Sequence, residues 1–194
     1  MKPITMEIAT EFFSLVCGQL RPFVVDGEAL PVCQRCLGLY LGSLLTGLWL
    51  IGRGLWRRGL PGRVVIYVNS AILLTAMLGG LQAIDLGPQW RLACGLWTGH
   101  VATLWLAGAT RQLWALSRPG LHRELAWLKQ DRLQALMMPV TLAALALIFP
   151  TLLPLGWIFW TILASLGLLV LALAMLTTLI AACSWGGAAL RQRT

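Results

Sequence analysis

A chain of 194 residues that is 58% hydrophobic and only 11% charged holds more apolar side chains than a soluble domain of its size can bury, since soluble domains carry about 25% charged residues. That excludes an ordinary water-soluble globule and makes the bilayer the natural solvent. The net charge of +8 does not indicate nucleic acid, because the arginines flank apolar spans instead of gathering with aromatic residues on one platform.

In chain order, residues 5–20 read as an amphipathic helix, with Ile8, Phe12, Leu15 and Val16 on one face and Glu7, Glu11, Ser14 and Gly18 on the other. It is too short and too acidic to span, which predicts a helix lying in the membrane interface. Residues 21–32 read as a loop, with Pro22 and Asp26-Gly27 as turn signals. A first span is expected from near Leu37 to about Gly52, a second from Val64 to Ile84 and a third from Leu92 to Thr110. The basic connection after it contains Leu121, Leu125 and Leu128, spaced for a short surface helix. From Leu133 to Leu190 there is no ionisable Asp, Glu, Lys, Arg or His, and Pro150 with Pro154-Leu155-Gly156 divides this stretch into a hairpin of two spans.

The expectation is therefore all-α: a polytopic membrane helical bundle of about five transmembrane helices plus an N-terminal interfacial helix. It forms one membrane domain over 1–194, with a cysteine segment (1–36), a three-span part that bears the site (37–110) and an apolar hairpin (133–190). Arg53, Arg57, Arg58 and Arg63, then Arg111 to Arg132, then Arg191 and Arg193 alternate so as to share one side. By the positive-inside rule that side is cytoplasmic, which puts the N-terminus outside and the C-terminus inside, in a bacterial plasma membrane. The expected partners are the lipid bilayer and a membrane or periplasmic protein, with no nucleic acid.

The chemistry-bearing stretch is Pro31-Val32-Cys33-Gln34-Arg35-Cys36. Two cysteines at i and i+3 open the first span, where the helix N-terminus favours negative charge, and Arg35 adds a cation. Cys33, Cys36 and Arg35 are the expected reactive set. Cys17 upstream and Cys94 at the same end of the third span complete a candidate metal set of Cys17, Cys33, Cys36 and Cys94, while Cys183 reads as packing. Gly38 with Gly42, and Gly95 with Gly99, form two G-x-x-x-G pairs that predict close packing of the first and third spans, bringing Cys36 towards Cys94. Three states are open: structural disulfides, a redox pair exchanging with a protein or a quinone, or a closed site for zinc or another thiophilic metal. Tyr40, Asp85, Arg91 and His100 are the candidate cofactor-binding residues, since ionisable groups in or beside spans often mark sites. Tyr40 stands a helical turn from Cys36, and His100 lies mid-span.

Arg21, Gly27, Pro31, Val32, Cys33, Arg35, Cys36, Gly38, Tyr40 and Gly42, with Cys17 and Gln19 ahead of them, carry a resemblance. The segment resembles an uncharacterised family of small prokaryotic multi-pass membrane proteins, catalogued as a domain of unknown function, whose signature is C-x-R-C-x-G-x-Y-x-G. Asp85 and Thr98-Gly99 fit its later positions. Gly18 stands where the family has His, and Gly95 where it has Arg. If the family's centre is Cys–His–Cys–Cys, this chain lacks one ligand, and Cys94 is the replacement the sequence offers. The resemblance implies no activity. The readings are a redox or metal-binding membrane protein, a non-enzymatic assembly factor or subunit whose cysteines only staple, or a small transporter using Asp85, Arg91 and His100.

Overall fold

The computed structural model describes residues 4–15, 17, 21–57, 60–80, 86–117 and 129–191. Six helices and one small sheet follow in order: α1 (Ile4–Ser14), β1 (Pro22–Val25), β2 (Glu28–Cys33), α2 (Gln34–Gly52), α3 (Arg63–Gly80), α4 (Pro88–Ser117), α5 (Lys129–Leu152) and α6 (Trp157–Arg191). Short 3-10 turns at Leu55–Arg57 and Leu153–Leu155 link α2 to α3 and α5 to α6.

The protein is a helical membrane bundle. Among the described residues, three helices are long and apolar enough to cross a bilayer: Gln34–Gly52, Gln130–Leu155 and Trp157–Trp185. The second and third expected spans are also helical, but α3 has a shorter apolar stretch, Arg63–Leu78, and α4 carries Arg91, His100 and Arg111 along its 30 residues. The surface helix expected at Leu121 to Leu128, and Asp85, lie outside the described residues.

The segment over 21–32 is not a loop. β1 and β2 pair antiparallel as a hairpin, with Val25 opposite Glu28. Asp26 and Gly27 both take positive φ, 54° and 80°, as a two-residue turn needs when its twist matches that of the flanking strands. The Asp-Gly signal therefore marked a hairpin turn between the strand-forming Phe23-Val24-Val25 and the segment Leu30-Pro31-Val32. β2 runs directly into α2, with Cys33 as the N-cap.

The bundle is built around α2, α4 and α6, which run parallel to one another. Contacts rise together along α2 and α4: Gly38 against Leu92, Gly42 against Leu96 and Thr46 against His100. A Cβ on Gly38 or Gly42 would run into the Leu92 or Leu96 carbonyl oxygen, and one on Gly95 or Gly99 into that of Arg35 or Leu39. Four glycines thus interlock the two backbones from both sides, as helix association in lipid requires where no hydrophobic gain is available. Gly167 of α6 meets the Tyr40 backbone in the same manner, and Gly47 faces Val170. Lower down, Thr178 of α6 bonds Thr110 of α4 at 2.7 Å.

α3 and α5 run antiparallel to this trio. Trp97 donates to the Pro139 carbonyl at 2.9 Å, and Arg53 at the end of α2 pairs with buried Asp131 of α5 at 3.0 Å. The hairpin seals one end of the trio. Phe23 packs on Phe149, Phe149 packs on Trp160, and Trp157 Nε1 donates to the Ala29 carbonyl at 3.0 Å.

Candidate functional site

Three short-range constraints converge at this capped end. Cys17 is held by one helical-type bond beyond α1, its amide donating to the Phe13 carbonyl at 2.8 Å. Cys33 ends β2 as the N-cap of α2, and Cys36 lies in the first turn of that helix. The Sγ atoms of Cys17, Cys33 and Cys36 all lie within 4.8 Å of one another. Two backbone amides point at these sulfurs: Cys33 N donates to Cys17 Sγ at 3.2 Å, and Cys36 N donates to Cys33 Sγ at 3.4 Å. None of the five cysteines is joined in a disulfide, Cys17 is buried, and Cys33 and Cys36 are partly buried.

The electrostatics differ from the expectation that a helix N-terminus would lower the thiol pKa. Cys33 is raised above its ordinary value, first by the Cys17 thiol bonded to it and then by burial. Ionising one of three crowded sulfurs places charge beside its neighbours, and this outweighs the help of the Cys36 amide and thiol.

Tyr40 lies beneath the triad, buried, with its ring packed on Phe13 at 6.0 Å. Gln34, between the two cysteines, is the polar hub at this end. Its amide donates to the Arg21 carbonyl at 3.0 Å, its Nε2 to the Pro22 carbonyl at 3.4 Å, and its Oε1 accepts from Arg91 Nη1 at 3.0 Å. Arg91 of α4 is thereby fixed beside the start of α2.

Cys94 is not a member of the triad. It lines an adjoining cleft of about 320 Å³ whose walls include Arg35, Cys36, Ala76, Met77 and Thr98. Cys36 therefore belongs to both places, and the expected approach of Cys36 and Cys94 takes the form of a shared cleft. His100 lies elsewhere. It is fully buried between α2 and α4, with Nδ1 2.9 Å from Thr46 Oγ1. The Thr46 hydroxyl also donates to the Gly42 carbonyl at 2.7 Å. His100 Nε2 has no protein partner among the described residues. Thr46 is ten residues beyond Cys36, roughly 15 Å along the helix, so His100 is not part of the cysteine site.

Gln34, Phe13, Ala76 and Met77 are the site residues that the sequence reading missed. The signal for Gln34 was present: an amide at the start of an apolar span needs partners. Ala76 and Met77 carried none, because neither is distinguished in type or spacing from the other apolar residues of α3.

Residues 17–106 match the family described as "Predicted membrane protein (DUF2085)". The matched segment, which holds the triad, the cleft, Arg91 and His100, is similar to that family of membrane proteins of unknown function. No curated protein and no solved structure matches it.

Proposed function

We propose that the chain is an integral membrane protein that binds a thiophilic metal ion, zinc or a softer ion, through Cys17, Cys33 and Cys36. One observation carries this reading: three sulfurs from three separate segments, the turn after α1, β2 and α2, lie within 4.8 Å of one another. A structural disulfide needs two sulfurs and gives no reason for a third. Thiolate ligands suit zinc and softer ions, and amide donors to the sulfurs offset the charge that such a centre carries. Zinc would add a fourth ligand, whereas a trigonal ion would use the three as they stand. Arg53, Arg63 and Arg111 lie at the opposite end of the helices, which supports an orientation with the triad outside. The helices as one membrane domain, in a bacterial plasma membrane, remain part of the same reading.

The test is zinc binding to the reduced, full-length protein in detergent, against a competing chelator, with maleimide labelling read by mass spectrometry. One ion per chain and joint protection of Cys17, Cys33 and Cys36 are expected. Thiols that stay reactive at saturating zinc, or a Cys17→Ser variant that binds as tightly as the parent, would sink the proposal.

A second reading has its own support. Cys33 as N-cap and Cys36 in the first turn form a C-x-x-C at a helix start, the arrangement suited to thiol–disulfide exchange. The two readings part at Cys17. Metal binding needs its sulfur, while a reversible Cys33–Cys36 disulfide forms without it.

A further inference from the structure

The thiol site offers three ligand atoms. Among the described residues no His, Asp, Glu or further Cys joins Cys17, Cys33 and Cys36 at their 4.8 Å spacing. Cys94 lines the adjoining cleft instead, and His100 is bonded to Thr46 deeper between α2 and α4. Zinc in a closed site takes four ligands. A trivalent arsenic or antimony centre is as soft and takes three, because its lone pair occupies the remaining direction.

Charge narrows the choice further. Three thiolates bring three negative charges to a place where Cys17 is buried and Cys33 and Cys36 are partly buried. With a monovalent ion the centre keeps two of those charges, with a divalent ion one, and a charge held away from water is costly unless it is paired. A trivalent centre keeps none. Two amides point at the sulfurs, Cys33 N at 3.2 Å from Cys17 Sγ and Cys36 N at 3.4 Å from Cys33 Sγ. They hold two of the three sulfurs in place, and a neutral trithiolate needs no counter-charge from Arg35 or Arg91.

We propose that Cys17, Cys33 and Cys36 together capture one trivalent metalloid hydroxide, arsenite or its antimony counterpart. This names the ligand class of the site proposed above and rests on that reading. The step is a condensation without redox change. Three As–O bonds of As(OH)3 break, three As–S bonds form, and each hydroxide leaves as water with one thiol proton. Arsenic stays trivalent, no disulfide forms, and no net charge appears or disappears. The neutral hydroxide has no charge to shed on its way in. Cys33 and Cys36, the less buried sulfurs, make the first two bonds. A C-x-x-C pair alone would stop there and leave one hydroxide on the arsenic. Cys17, held one helical-type bond beyond α1, makes the third bond and so selects a metalloid with three positions to fill.

The test adds sodium arsenite to the reduced full-length protein in detergent, with zinc and phenylarsine oxide in parallel. X-ray absorption at the arsenic edge counts the atoms around the metalloid. One arsenic per chain, bonded to three sulfurs and no oxygen, is expected. Phenylarsine oxide has only two positions to fill, so Cys17→Ser should weaken arsenite binding by more than ~10-fold while leaving phenylarsine oxide binding unchanged. Cys94→Ser, outside the triad, should change neither. Two sulfurs and one oxygen around arsenic in the parent, a Cys17→Ser variant that holds arsenite as tightly as the parent, or a Cys94→Ser variant that loses it would each overturn the proposal. If Cys17→Ser misfolds and loses both arsenicals, the sulfur count in the parent decides alone. Zinc held by the three thiols with arsenite unbound removes this inference and leaves the metal reading standing. Thiols that stay maleimide-reactive with either ion remove both.

Discussion

Helices α2 and α4 touch backbone to backbone, whereas α5 and α6 mostly face outward. The most hydrophobic window of α2 has a mean hydropathy of 1.3 and is 56% buried, while that of α6 has a hydropathy of 2.5 and is 11% buried. The less apolar span is the more enclosed one, the reverse of the order in a water-soluble core. In lipid an apolar side chain gains nothing by leaving the solvent, so enclosure follows close backbone approach and polar bonding. Gly38, Gly42, Ser43 and Thr46 supply both to α2, and α6 has such contacts mainly around Gly167 and Thr178.

This contrast can be broken most severely at the seam. Gly95→Leu forces a side chain into the Arg35 carbonyl and should cost about 3 kcal/mol, seen as a large fall in the unfolding midpoint in detergent. Leu173→Ala, on the half-exposed face of α6, should leave that midpoint nearly unchanged; equal effects would refute the division. At the capped end, Cys36→Ser should lower zinc affinity by more than the ~10–100-fold typical of changes to outer-shell partners, with the metal-free unfolding midpoint unchanged. Thr46→Val removes the partner of the buried His100 Nδ1 and should cost about 1–3 kcal/mol, measurable by chemical unfolding. The smallest effect belongs to the hairpin turn. Gly27→Ala puts a Cβ at φ 80° and should cost about 1 kcal/mol, read as faster trypsin cleavage at Arg21.

Much of this was legible in the residues, and what was missed has a physical cause. The glycine pairs announced the α2–α4 seam because glycine spacing fixes a face without knowledge of the partner. The hydrophobic runs announced the helices, and the prolines divided α5 from α6. The hairpin was lost because a strand of four residues is shorter than the window over which alternation can be read, so Asp26-Gly27 registered only as a turn. The triad was half legible. Cys33 and Cys36 are joined by local helix geometry, but Cys17 reaches them only because α1 and β2 pack together, which no spacing encodes. Cys94 looked equivalent to Cys17 because both lie at the same end. The difference is rotational: the face of α4 that carries Cys94 turns towards α3 and the cleft. The raised Cys33 pKa escaped notice for a related reason, since a helix terminus is visible in a sequence and a crowd of thiols is not.

The join between β2 and α2 bears on how such a segment can vary. No residue separates the strand from the helix, so Cys33 is at once the last residue of one and the cap of the other. Successive residues of a strand face opposite ways, and a single insertion anywhere between Glu28 and Cys33 would present a different residue to Cys17 or break the pairing with Pro22. The exposed Ala29 can be exchanged without moving the sulfur, whereas the number of residues from the turn to the cap cannot change. Length, as well as the buried Leu30 and Val32, is what this stretch must inherit intact.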